Sequence, residues 1–146
     1  LFGHEKAKVM DGGRLKWDVR LIDGTKALAK TLHTPLFQRT LTFFGHADAS
    51  DYTMQVDIRT DGSRRTMSTA GVLHQGYQIA LKGNHQELEV SSNVERLHQA
   101  VPFEWKPDLW YTLKTRVEAD PAAAGSGLVR AKVWPRGEAE PEAWTL

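Results

Sequence analysis

Eight side chains in three segments of this sequence combine charge with indole rings at strand spacing: Asp57 and Arg59; Trp110, Lys114 and Arg116; Arg130, Lys132 and Trp134. Within each segment they share one parity, with Gln55 and Thr112 among them, so extended chain puts each set on a single face. Rings and forked polar groups arranged this way suit a pyranose. The indole stacks on the apolar face of the sugar, and planar donors and acceptors meet its hydroxyls. The competing reading is a solvated sheet face laced with cross-strand ion pairs that each contribute little. The two tryptophans keep the binding reading in play, because exposed indoles are uncommon without a reason. They lose that role if residues 92–108 or the tail Glu138–Trp144 cover them.

Other chemistries fare worse. A retaining glycosidase needs an acid and a nucleophile about 5–5.5 Å apart across the scissile bond, usually from a Glu-x-Asp-x-x-Glu strand. No such run occurs. The densest acids are Glu138, Glu140 and Glu142, which follow the turn Pro135-Arg-Gly137 and are interrupted by Pro141, so they read as a solvated loop. The histidines at 4, 33, 46, 74, 85 and 98 have no short ligand spacing, and no metal site is assigned. Asp48 and Asp51, in one loop, are the acids best placed for a calcium ion, which favours loop carboxylates and carbonyls. Gly125-Ser-Gly127 is a hairpin tip and no Gly-x-Ser-x-Gly elbow is present. Gly12-Gly13 lacks the Gly-Lys-Ser/Thr ending of a phosphate loop. No catalytic residue and no cofactor are assigned.

The elements that must position the eight residues are strands. From Arg14 onward Leu15, Trp17, Val19 and Leu21 alternate with polar residues, predicting a half-buried strand closed by Asp23-Gly24, with 26–32 returning antiparallel. Leu41–Phe44 is a short apolar run. Tyr52–Thr60 is the clearest strand, with Tyr52, Met54, Val56 and Ile58 facing in. Gly71–Leu73, Tyr77–Leu81 and Glu87–Val90 follow, separated by turns. Residues 92–108, with Pro102 and Pro107, read as a long polar connection. The chain closes on two strands whose Tyr111, Leu113 and Val117, and Val129, Ala131 and Val133, face inward. No window carries a convincing helical stripe. The pattern predicts one all-β domain over residues 1–146, an antiparallel β-sandwich.

Composition sets the bounds. A chain of 146 residues can bury a core without staples, and it has no cysteine, which excludes thiolate catalysis and a Cys-ligated zinc. The net charge of +1, without basic or acidic blocks, gives no electrostatic case for nucleic acid. No apolar run approaches the roughly 18 residues of a membrane span. A start at Leu1 suggests a processed chain or an excised domain.

Six segments, taken in order, resemble one family: Gly12-Gly-Arg-Leu-Lys-Trp17, Asp23-Gly-Thr-Lys-Ala-Leu28, Asp51-Tyr-Thr-Met-Gln-Val-Asp57, Gly76-Tyr-Gln-Ile-Ala-Leu-Lys-Gly-Asn84, Phe103-Glu-Trp-Lys-Pro-Asp-Leu-Trp-Tyr111 and Lys132-Val-Trp-Pro-Arg-Gly-Glu-Ala-Glu-Pro-Glu-Ala-Trp144. They are similar to the C-terminal module that follows a pyrroloquinoline-quinone-type β-propeller in bacterial envelope proteins. That module is similar in turn to concanavalin A-like lectin/glucanase jelly rolls, including 3-keto-disaccharide hydrolase-type domains. The resemblance implies a jelly roll at the periplasm or cell envelope, a non-catalytic binding or scaffolding module. Its implied partners are a carbohydrate, an envelope protein or an attached propeller. The alternative it implies is a glycoside-cleaving enzyme, with Asp57, Arg116 and Lys132 nearest to roles. In that family a final strand is expected after the last tryptophan, where this sequence reaches Leu146. A sandwich closing without it would expose a sheet edge, a liability for solubility and a possible docking site.

Overall fold

The computed structural model describes residues 17–30, 48–63 and 66–146, which form nine antiparallel β-strands and no α-helix. The chain divides into two compact units, Leu1–Ala47 and Asp48–Leu146.

In the first unit β1 (Trp17–Ile22) and β2 (Thr25–Lys30) make the expected hairpin, Trp17 opposite Lys30 and Ile22 opposite Thr25. Asp23 and Gly24 both take positive φ, 50° and 75°, the two-residue turn whose twist matches the flanking strands. The expected burial is not there. Val19 and Leu21 are 53% and 71% exposed. Alternation shows which residues share a face, but a two-stranded ribbon has no second layer of its own to bury it. Gly12, Gly13, Leu15, Leu32, the run Leu41–Phe44 and His4, His33 and His46 lie outside the described residues.

The second unit is a two-layer antiparallel sandwich. One layer holds β3 (Thr53–Arg59), β8 (Trp110–Ala119) and β9 (Gly127–Pro135), in the order β3-β8-β9. The other is a meander of β4 (Ala70–His74), β5 (Tyr77–Lys82), β6 (Glu87–Ser92) and β7 (Leu97–Pro102). Inward residues of both layers meet in one core. Ile79, Leu81, Leu88 and Val90 come from the meander; Tyr111, Leu113, Val117, Ala131 and Val133 come from β8 and β9. Leu113, Ile79 and Leu88 are fully buried, each worth about 1.5–3 kcal/mol of apolar transfer.

One strand was not expected. Residues 92–108 contain β7, whose Leu97 and Val101 pack on the core. A tight turn makes it possible: Arg96 takes a φ of 54° and returns the chain onto β6 with Ser92 opposite Leu97. The alternation of Leu97, Gln99 and Val101 is legible once that turn is granted. Pro102 falls at the last position of an edge strand, where a missing N–H costs no ladder bond.

Candidate binding face

Register brings the eight residues together. Across β3-β8-β9, Thr53, Arg116 and Arg130 form one row; Gln55, Lys114 and Lys132 the next; Asp57, Thr112 and Trp134 the third; and Arg59 pairs with Trp110. These rows alternate with the core-facing ones, so all eight lie on the outer face, as parity predicts.

Two of the rows set like charges opposite each other, and each is clipped by one glutamate. Glu118 receives Arg116 Nε and Arg130 Nη1, both at 3.0 Å. Glu140 receives Lys114 Nζ at 2.8 Å and Lys132 Nζ at 2.7 Å. Without these acids the pairs would destabilise the sheet. Arg116 also donates through Nη1 to the Asp51 carbonyl at 2.8 Å. The Asp51 side chain accepts the Ala119 N–H, so it ties the loop to the end of β8. Among the described residues no three His, Cys, Asp or Glu side chains gather as metal ligands.

The tail places Glu140. Gly137 turns the chain at a φ of 95° as it leaves β9, and residues 138–146 run back over the outer face without regular structure. The Lys132 side chain, 7% exposed, donates to the Pro141 carbonyl at 2.7 Å and lies 4.9 Å from the Trp144 ring centre. A cation this desolvated gains about 2 kcal/mol from an indole face. The tail then reaches the outer edge of β9, where Ala131 and Leu146 exchange both backbone hydrogen bonds, 2.8 and 3.0 Å. Glu140 is held below the usual carboxylate range by the hydrogen bonds from Lys114 and Lys132, so it stays ionised.

At the other end of the face Asp57 accepts the Thr112 hydroxyl at 2.8 Å and pairs with Arg136 at 3.3 Å. The Arg136 guanidinium lies 5.4 Å from the Trp110 ring centre, and Arg59 pairs with Asp108 at 3.2 Å. Trp110 is half-buried; Trp134 is buried and offers no ring face to a ligand. Sequence reasoning missed Glu118, although parity puts it on this face, and Arg136, which lies in the turn beyond β9 where parity no longer applies. Glu140 carries no such signal, because its place depends on the path of an irregular tail.

Elsewhere the polar interior is sparse. His74 on β4 faces the core, fully buried, and its Nδ1 shares a hydrogen bond of 2.7 Å with the Thr115 hydroxyl of β8, which links the two sheets. Burial, aided by the charge of Arg116, pushes the imidazole below its usual range. Tyr52 packs over it at 4.4 Å between ring centres. On the outer side of the meander Glu89 is buried and pairs with Lys82 at 3.4 Å and His98 at 3.2 Å.

Compared with family models, with curated proteins and with solved structures, the chain has no match.

Proposed function

We propose that this chain is a non-catalytic binding or scaffolding module of the bacterial envelope, placed beside a β-propeller, that takes a carbohydrate or an envelope partner. The carbohydrate reading is carried by one corner of the outer face. There the half-buried Trp110 ring lies opposite Arg59, with the Arg136 guanidinium over the ring and tied to Asp57, so an indole and planar polar groups are gathered at one corner. Rings and forked groups of this kind recognise the two faces of a pyranose, its C–H surface and its hydroxyls. The opposite end of the face, with Lys114, Arg116, Arg130 and Lys132, is committed to Glu118, Glu140 and the tail, and acts as the scaffold that holds the corner.

The non-catalytic part rests on protonation. A glycosidic acid needs a carboxyl raised toward neutrality by burial or a like charge. Among the described residues Glu89 and Glu140 are instead both held low, by neighbouring cations and donors.

Titration with neutral oligosaccharides, followed by tryptophan fluorescence, tests this. The expected result is a saturable shift that Trp110→Ala abolishes, with no release of reducing sugar by either protein. Unchanged fluorescence across a broad glycan panel would end the carbohydrate reading, and turnover lost in Asp57→Asn would move the protein to the hydrolases.

A further inference from the structure

Residues 48–52 carry the chain into the second unit without regular structure, and residues 48–51 are exposed. Among the described residues three hydrogen bonds hold this segment. Arg116 Nη1 donates to the Asp51 carbonyl at 2.8 Å, the Ala119 N–H to Asp51 Oδ1 at 3.2 Å, and Gln75 Nε2 to the Ala49 carbonyl at 3.3 Å. Asp51 takes a φ of 52°, a left-handed state uncommon outside glycine. Tyr52, at the end of the segment, lies over His74 with ring centres 4.4 Å apart and planes inclined at 42°.

The His74 imidazole is fully buried, and its hydrogen bond with the Thr115 hydroxyl uses Nδ1. Among the described residues Nε2 has no hydrogen-bond partner. The groups around the ring give an added proton no support. From β8 come Thr115 and the charge of Arg116, whose Nε goes to Glu118 at 3.0 Å. On β5 Tyr77 stands opposite His74, with its hydroxyl given to Glu95 at 2.6 Å. Its phenol, pushed up to about 12 by that hydrogen bond, does not titrate near neutral pH. From the segment itself comes only the Tyr52 ring. An imidazolium here would be a buried charge that feels a cation and no carboxylate, so it must reach water. Parting the two sheets would expose the whole core. Lifting the exposed segment breaks three hydrogen bonds, and it is the cheaper way to hydrate the ring.

We propose that His74 and Tyr52 form an acid-sensitive latch: when the imidazole takes a proton, residues 48–52 lift from the end of β8 while the sandwich beneath them stays folded. Arg116 has a part in both states. Its hydrogen bond to Asp51 helps to close the latch, and its charge disfavours the imidazolium that opens it. The latch involves neither Trp110 nor a ligand, so it stands or falls without the carbohydrate reading.

Amide hydrogen exchange tests this, because the Ala119 N–H is the donor that the closed latch protects. Corrected for the intrinsic rate, its protection is expected to fall about tenfold per pH unit below 6.5, where a solvated imidazole titrates. In low urea its exchange should stay flat, while that of the buried Leu113 amide follows global unfolding. In His74→Gln the protection of Ala119 should no longer depend on pH. Asp51→Ala keeps the test valid if that variant fails to fold. It removes one tie at an exposed position, and it should move the NMR titration of the His74 ring up toward 6.5, because opening and protonation are linked. Protection at Ala119 that ignores pH, exchange there that follows Leu113 in urea, or a pH dependence that survives in His74→Gln overturns the proposal. So does a His74 titration left unmoved in Asp51→Ala.

Discussion

On the outer side of the meander Glu89 stands in mid-strand, its side chain 9% exposed, and draws Lys82 to 3.4 Å and His98 to 3.2 Å. On the outer face of the other sheet Glu140 reaches in from the tail, 40% exposed, and draws Lys114 to 2.8 Å and Lys132 to 2.7 Å. Each is one carboxylate between two basic side chains, but the buried partner is reversed. At the first site the anion is desolvated and its partners, Lys82 and His98, sit nearer the rim. At the second the Lys132 ammonium is desolvated and the anion is wet. For Glu89 burial works to raise the carboxyl, and Lys82's charge with the hydrogen bonds from Ser91, His98 and Lys82 outweighs it. Glu140 has little such penalty to overcome. The shorter contacts are therefore not the more consequential ones, because the cost of losing a partner scales with how far the remaining charge is from water.

The sharpest way to break the comparison is to remove the cation from the buried anion. Lys82→Met leaves Glu89 with His98 and Ser91 alone. It should cost about 2–3 kcal/mol in urea unfolding, less than a fully buried pair because Lys82 is partly exposed. Adding Glu89→Leu should recover most of that loss, since an apolar pair between Ala80 and Ala100 leaves no charge stranded. If Lys114→Met destabilises as much as Lys82→Met, burial is not what separates the two sites.

Acid titration of stability sharpens it further and brings in the interior. His74 resists its proton in the fold but takes it near pH 6.5 in the unfolded chain. The unfolded state then binds more protons, so stability falls as pH drops below 6.5, until the folded His74 is also protonated. Glu89 acts lower: its contribution is full above 4.5 and is lost as pH falls through its depressed folded value. Each window has a limiting slope of about 1.4 kcal/mol per pH unit. His74→Gln should flatten the upper window and Glu89→Gln the lower. A stability profile flat between pH 6.5 and 5 in the native sequence would contradict the buried neutral imidazole.

Most of the sandwich was legible because alternation maps directly onto faces: β3, β8 and β9 hold their expected inward residues, and the eight outer ones share a face. β7 was misread because Pro102 and a polar composition argued for a loop, while the decisive feature, Arg96 in the left-handed region, is a backbone state that the residue type conceals. Thr115 sits on the inward parity of β8, but nothing in its neighbours announces a partner 41 positions away at His74. Glu89 is invisible for a related reason. Its own strand position reads as solvated, and only pairing sets it opposite Ala80 and Ala100 with Lys82 and His98 within reach. Contacts within a strand's own alternation could be read. Those set by a turn, a tail or strand pairing could not.

The smallest stability effect belongs to Glu140→Gln. Lys132 keeps the Pro141 carbonyl and the Trp144 ring, so its buried ammonium is not left bare, and Lys114 can turn its charge toward water. The unfolding midpoint should move much less than in Lys82→Met. What should change is the tail. With Glu140 neutral, the opposed Lys114 and Lys132 repel across the sheet, and the tail loses its charged clip while keeping the backbone bonds at Ala131. Broadened NMR signals for residues 138–144, with those of Ala131 and Leu146 unchanged, would separate the two anchors, and about 1 M salt should reproduce part of the loosening in the native sequence by screening Glu140 from its lysines. If Ala131 and Leu146 loosen together with the rest, Glu140 also holds the edge bridge, and the wet carboxylate has a structural weight that its exposure does not predict.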